Sequence, residues 1–333
     1  MSAPKVSICV AQFNRADRIE QSISSLLNQK YDSFEVIVVN DGSTDEATKV
    51  ELEKLKAPSI LIIHQENSGF VGAMNKAISM ARGDYIAIHG AGDVSFDSRI
   101  RKQADILDQN PDIGLVSCLF DNVMFKGAIS CKQSIDLNRP YEITSRALLG
   151  FENPIGHGEV MYRKSLFIAV GGYRPYFKFA QDRDLWLRMI DFTRMVVIQE
   201  VLYQRGIFKD GVTTNIEKIL IQKNLAALAR QCYETKNEYG RDLIDEYGDH
   251  AGLFRKGCKY LSKFHAKQSV EYLLKSDFAK ARFFANLSIN EGFGLYSAGA
   301  LLVNYLCRYK PIHTLIKRLI IRLYPNSVKA YRS

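Results

Sequence analysis

No long hydrophobic run opens this chain. The first apolar stretch after Met1 is Val6 to Val10, far short of the roughly 18 residues that a signal or spanning segment needs, so the cytoplasm is the default expectation. Cysteine is scarce and scattered. Cys9, Cys118, Cys131, Cys232, Cys258 and Cys307 form no Cys-x-x-Cys pair, which argues against a disulfide framework and a zinc site and leaves buried thiols. No G-x-G-x-x-G loop follows a strand-like run, so the backbone cradle that holds phosphate in many open sheets is missing. Acidic residues stop at Glu291, while Arg308, Lys310, Lys317, Arg318, Arg322, Lys329 and Arg332 lie beyond it. The formal charge of +9 is thus concentrated at the C-terminus, which points to an anionic surface. No nucleic-acid partner is expected, because these basic residues fall outside the strand pattern and are not interleaved with stacking aromatics on strands.

What is present is ordinary globular composition, 47% hydrophobic and 24% charged over 333 residues, enough for one large domain and a smaller one. The most informative stretch is Phe34 to Asp45, FEVIVVNDGSTD, where an apolar run ends in the carboxylate of Asp41. Ligands of open parallel sheets sit at the carboxyl ends of the strands, and a carboxylate there suits a base or a sugar better than a phosphate. Short β-branched runs at Val6 to Val10, Val36 to Val39, Ile60 to Ile63 and Tyr85 to Ile88 alternate with helical patterns at Asp17 to Gln29, Thr44 to Lys56 and Phe70 to Arg82. This order predicts an α/β fold with a mostly parallel sheet flanked by helices. Ile19, Ile23, Leu26 and Leu27 share one helical face, and Ser43 with Glu46 is a candidate capping box.

From Ile113 to about Asn215, strand candidates at Gly114 to Cys118, Val160 to Arg163 and Met195 to Ile198, with a helix from near Asp182, suggest a second lobe closing the same site. The expected division is a sheet domain over 1–215 and a helical C-terminal region over 216–333. Within the latter, Val270 to Asn290 has the small-residue pattern of one helix-turn-helix unit, too few copies for a repeat array. The uncharged stretch Gly292 to Cys307 is either a packed helix or a shallow membrane insertion. Thr314 to Tyr324 is basic and amphipathic, with Leu315, Leu319, Ile320 and Leu323 opposite Lys317, Arg318 and Arg322. It fits a lipid interface or a helix docked on its own protein.

Five motifs in order, VSICVAQFN at Val6 to Asn14, VIVVNDGSTDEAT at Val36 to Thr48, NSGFVGAMNKAISMARGDYIAIHGAGD at Asn67 to Asp93, GGY at Gly171 to Tyr173 and AQDRDLWLR at Ala180 to Arg188, resemble the family-2 nucleotide-sugar glycosyltransferases of the GT-A fold over roughly residues 5 to 210. The resemblance implies an inverting enzyme that passes a sugar from a nucleoside diphosphate donor to a saccharide or lipid-linked saccharide, in surface polysaccharide or glycoconjugate synthesis. Phe13 and the main chain at Ala11 would line the base pocket, a flat ring being able to stack on a base. Asp41 would accept the N3–H of a pyrimidine. Asn67, Gly69, Asn75, Gly92 and Arg205 would lie along the donor, and His157 and Gly172 on the acceptor side.

Asp182 matches the family's catalytic base, which needs a carboxylate opposite the leaving diphosphate; Asp184 is assigned to structure. Asp93 would hold a divalent ion, Mg2+ or Mn2+, with substrate phosphate completing its shell. Here the chain departs from the family, which carries two or three aspartates where this sequence reads His89-Gly90-Ala91-Gly92-Asp93. His89 is then an additional ligand, a phosphate hydrogen-bond partner or a structural ring, and Arg205 or Lys209 a cation for the leaving group. The basic tail suggests peripheral attachment to the inner face of a membrane. The rival reading is a non-catalytic nucleotide-sugar or saccharide-binding protein on the same scaffold.

Overall fold

The computed structural model describes residues 4–55, 57–126, 129–133, 140–150, 152–208 and 215–323. The first four strands are β1 (Val6–Gln12), β2 (Phe34–Asp41), β3 (Ile60–Gln65) and β4 (Tyr85–Gly90), connected by α1 (Ala16–Leu27), α2 (Glu46–Lys54) and α3 (Gly69–Met80). They pair in parallel, in the order β3-β2-β1-β4. All but one residue of β1 are buried, as expected of a strand covered on both faces. Its Ile8 and Val10 pack with Ile19, Ile23 and Leu26 of α1 in the main core, where each such side chain contributes about 1.5–3 kcal/mol on burial.

Next come β5 (Val94–Ser95), α4 (Arg99–Gln109), β6 (Ile113–Lys126), β7 (Ile129–Gln133), β8 (Glu142–Ile143), α5 (Ser145–Leu148), β9 (Met161–Arg163), α6 (Lys164–Ala169), α7 (Gln181–Met189) and β10 (Arg194–Ile207). Antiparallel β9 joins β4 to β6, β6 runs parallel to β10, and β5 closes the row antiparallel to β10, completing a ten-stranded sheet among the described residues. The α/β sheet is the one expected, but β6 and β10 run far beyond the apolar runs that mark them in sequence. In β10 the apolar run ends at Ile198 before Gln199 and Glu200, and register shifts between Ile198 and Tyr203 let pairing with β6 resume. That bulge carries Tyr203 and Arg205 toward the end of β4.

The capping box expected at Ser43 and Glu46 is not formed. Asp45 caps α2 instead, its carboxylate accepting the Thr48 N–H, because Ser43 Oγ is engaged by the Asn14 N–H at 2.8 Å.

The chain divides into two compact units, Met1–Asp242 and Leu243–Ser333. The first includes α8 (Ile216–Tyr239), capped by Asn215, ended by Gly240 and packed on α7. The second begins with α9 (Leu243–Tyr247) and a 3-10 turn at Gly248–Phe254, followed by α10 (Lys259–Leu274), α11 (Phe278–Asn290), α12 (Leu295–Leu306) and α13 (Lys310–Leu323). Ala266, Ala285 and Ala300 form the close-packed seam of α10, α11 and α12, and Ile316 of α13 packs against Leu273, Ala281 and Cys307. The helix-turn-helix pattern is thus the α10–α11 pair, with Asp277 capping α11. Cys9, Cys118, Cys232 and Cys307 are buried free thiols and Cys258 is half-buried; the side chain of Cys131 lies outside the described residues.

Candidate active site

At the carboxyl ends of the parallel strands, Ala11 of β1 stands in register with Val39 of β2 and Gly90 of β4. The chain leaves β1 through a sharp loop in which Asn14 and Arg15 both have positive φ, held by the Gln12 amide donating to the Asn14 carbonyl and by the Asn14 side chain accepting from the Thr44 N–H at 2.9 Å. Phe13, at the turn, is 45% exposed, so its ring is available to a ligand and is not part of the core. Asp41 is buried, and its Oδ1 accepts from Gln65 Nε2 at 2.8 Å, the Ser68 N–H at 2.8 Å and Ser68 Oγ at 3.1 Å. Oδ2 takes no hydrogen bond from the described residues. The Asn67 amide donates to the Asp41 carbonyl at 2.7 Å, and Gly69 opens α3 with φ +77 and free space where a Cβ would stand. The Asn75 amide donates to the Tyr173 carbonyl at 3.1 Å and fastens α3 to the Gly-Gly-Tyr turn.

The end of β4 differs from expectation. His89 is buried, its Nε2 within hydrogen-bond distance of Ser22 Oγ (3.0 Å) and the Asp93 carbonyl (3.1 Å). Burial, helped by Arg99, drives its pKa down to about 3, so the ring stays neutral. Asp93 is also buried: Oδ2 accepts from the Tyr203 hydroxyl at 2.5 Å and Oδ1 from the Gly206 N–H at 2.8 Å. The Tyr203 oxygen in turn accepts the Gly90 N–H at 2.9 Å. Burial raises the Asp93 pKa against the lowering effect of these bonds. Gly92 has φ +85, a conformation side chains rarely adopt.

In the second half of this unit, Asp182 lies in the first turn of α7, half-buried, with Oδ1 accepting the Arg183 N–H at 2.8 Å and Oδ2 the Asn153 amide at 2.9 Å. His157 stands within electrostatic reach of Asp182, Glu159 and Arg205, and burial lowers its pKa. Its Nε2 meets the Tyr173 hydroxyl at 2.6 Å, and its ring packs edge-on to Phe70. Gly172 has φ +67, and its carbonyl accepts from Arg188 at 2.7 Å. Arg188 also binds Asp184, which is paired again with Arg174. Asp184 is therefore a buried joint, as assigned. Arg205 donates to Glu159, which is fully buried, at 3.1 Å, and lies 4.0 Å over the Phe120 ring. Burial alone would lower the Arg205 pKa, but Glu159 and Asp93 more than offset it. Lys209 lies outside the described residues.

A sheet with carboxylates at its strand ends and a second carboxylate at the start of α7 agrees with the sequence profile of glycosyl transferase family 2, which matches residues 7–171. An uncharacterised glycosyltransferase of Rickettsia prowazekii is 30% identical over 217 residues, 64% of this chain and 67% of that protein. The chain belongs to glycosyl transferase family 2. EpsE of Bacillus subtilis is 29% identical over 212 residues, 61% of this chain and 73% of that protein. Among solved structures, S. aureus TarS in complex with UDP-GlcNAc superposes with a TM-score of 0.53 at 14% identity, covering 84% of this chain and 90% of that one, which shows the GT-A fold.

The divalent ion implied by the family resemblance does not fit the residues present. In this glycosyltransferase both Asp93 oxygens already accept protein donors, the Tyr203 hydroxyl and the Gly206 N–H. A Cβ at Gly90 would stand 2.3 Å from Asp93 Oδ2, so a carboxylate could not be added there without displacing it. Among the described residues no three His, Cys, Asp or Glu side chains are grouped to hold a metal. The residues missed in the sequence, Tyr203 and Glu159, sit beyond a bulge and in a loop without pattern.

Proposed function

We propose that this family-2 glycosyltransferase moves a sugar from a nucleoside diphosphate donor to a hydroxyl of a saccharide or lipid-linked saccharide, with inversion, as a step of surface polysaccharide or glycoconjugate synthesis. Phe13, Ala11 and the open Oδ2 of Asp41 receive the base, while Asn67, Gly69 and Gly92 border the donor. Asp182 takes the acceptor proton as the acceptor oxygen bonds to the anomeric carbon, and the sugar–phosphate bond breaks with its electron pair leaving on the diphosphate. His157 and Gly172 border the acceptor. The chemistry belongs to the first unit, in which α8 packs on α7, and the second unit serves attachment.

The observation that carries this reading is the state of Asp182. Glu159 and Asp184 are tied to arginines and Asp93 is locked by Tyr203 and Gly206, whereas Asp182 is bonded by an amide and a backbone N–H, both neutral. Of these four carboxylates it is the one left able to take the acceptor proton. The known complex of TarS with UDP-GlcNAc supports the donor class. No described helix is long and apolar enough to cross a membrane, but the second unit exposes Phe293, Leu295, Leu302 and Tyr305 beside Arg308, Lys310, Lys317 and Arg318, which supports peripheral contact with an anionic lipid surface on the cytoplasmic side.

Calorimetric titration with a panel of nucleoside diphosphates and their sugars tests the donor site. One base should bind, and Asp41→Ala should weaken it by about 10-fold or more through loss of a charge-assisted hydrogen bond. Equal binding of all bases, unaffected by Asp41→Ala, would remove Asp41 from the donor site. The loss of carboxylates at Gly90 and Gly92 favours a second reading, a binding protein on the same scaffold, which would bind a sugar nucleotide without ever turning it over.

A further inference from the structure

The misfit between Asp93 and a divalent ion leaves the donor diphosphate without a counter-charge, and the same corner of the site supplies one. The space in which a side chain at position 92 would project is filled. A Cβ there would meet Phe208 Cζ at 2.9 Å and Arg18 Cβ at 3.3 Å, so an acidic ligand at this position is excluded by contact as well as by φ +85. The stem of Arg18, on the first turn of α1, therefore runs beside the Gly90–Asp93 turn. The Arg15 guanidinium stacks 3.7 Å from the centre of the same Phe208 ring, and Arg15 sits at the start of α1 in the left-handed conformation that turns the chain out of β1.

We propose that Arg15 and Arg18 stand in for a divalent ion, holding the donor diphosphate and neutralising the charge that collects on it when the sugar leaves, so that this glycosyltransferase works without metal. This rests on the proposed nucleoside diphosphate donor. Guanidinium suits the role because it is always charged and presents a planar fork of donors that matches phosphate oxygens. Preorganised cations aimed at a departing phosphate are an established way to lower such a barrier. Arg205 is set against the buried Glu159 carboxylate. Arg18 pairs with Asp17 at 3.1 Å, the arginine 19% and the aspartate 72% exposed, and a diphosphate presents more charge and more acceptor oxygens than that one carboxylate.

The test is titration of the chelator-treated full chain with UDP, GDP and dTDP and with the matching monophosphates, with and without millimolar Mg2+ or Mn2+. The diphosphate that binds should do so in EDTA with an affinity that added metal changes by less than about twofold. Arg15→Gln and Arg18→Gln should each weaken it by about 10- to 100-fold, with the monophosphate much less affected and the melting temperature unchanged. Arg→Lys at either position should restore part of the loss. Diphosphate binding that disappears in EDTA and returns with Mn2+ or Mg2+ would overturn the proposal and leave the donor reading standing. So would diphosphate affinity that survives both Gln substitutions. No binding of any nucleotide, with metal or without, would instead overturn the donor reading on which the proposal rests.

Discussion

His89 is a ring that the fold keeps neutral, and this has a consequence for stability. Its folded pKa of about 3 lies below the ordinary 6.5, so as pH falls through 6.5 protons bind the unfolded chain first, and stability is lost progressively between about 6.5 and about 3. At pH 5 this ring alone makes the fold about 2 kcal/mol less stable than at pH 7.5. Urea midpoints measured across that range should fall less steeply in His89→Gln, and an unchanged acid limb would clear the ring of responsibility. Asp184 gives a second test at the same scale. It is 1% exposed and paired with both Arg174 and Arg188, so Asp184→Asn should cost about 3–5 kcal/mol, read as a lowered melting temperature. The structural part played by Asp184 was legible in the sequence, because a carboxylate within an apolar helix needs a partner, and the structure gives it Arg174 and Arg188. The placement of Phe13 just after β1 and of Asp41 at the end of β2 was legible too, because each closes an apolar run. The fate of Asp93 was not, since its partners lie 110 and 113 residues away.

Elements explain why those partners were hidden. The apolar run that announces β10 stops before Gln199 and Glu200, and nothing in the local pattern says that a bulge will let the strand continue. Once it does, β5 pairs with it, Ser95 opposite Tyr203, and the strand turn carrying Asp93 is pulled against the Tyr203 hydroxyl. Tyr203→Phe should therefore leave a buried carboxylate oxygen and the Gly90 N–H short of a partner, at about 1–3 kcal/mol each; a urea unfolding midpoint equal to wild type would contradict that joint. By contrast β1 to β4 and α1 to α3 follow their sequence patterns closely, because short parallel strands buried on both faces and helices with one apolar face leave periodic signals. The missed cap at Asp45 belongs with β10: Ser43 was taken by a tertiary partner, Asn14, that local reading does not include.

At the scale of the whole molecule, the chain joins a sheet unit with a transferase's strand ends to a helical unit whose surface is apolar and basic. Each has its own core. If the second unit meets lipid as proposed, the full chain should sediment with vesicles containing anionic lipid and not with zwitterionic ones, and added salt should release it. Lys317→Glu with Arg318→Glu should abolish the sedimentation and leave the melting temperature unchanged; equal binding to both vesicle types would set the electrostatic account aside. The central claim concerns the first unit, where Asp182 is held to be the base of a transfer reaction. The measurement that bears on it most directly is release of nucleoside diphosphate from the donor that binds, in wild type and in Asp182→Asn. The account predicts slow release in wild type, even with water as the acceptor, and a loss of about 10²–10⁴ in rate in Asp182→Asn with donor affinity unchanged. Release at the wild-type rate in Asp182→Asn would contradict it.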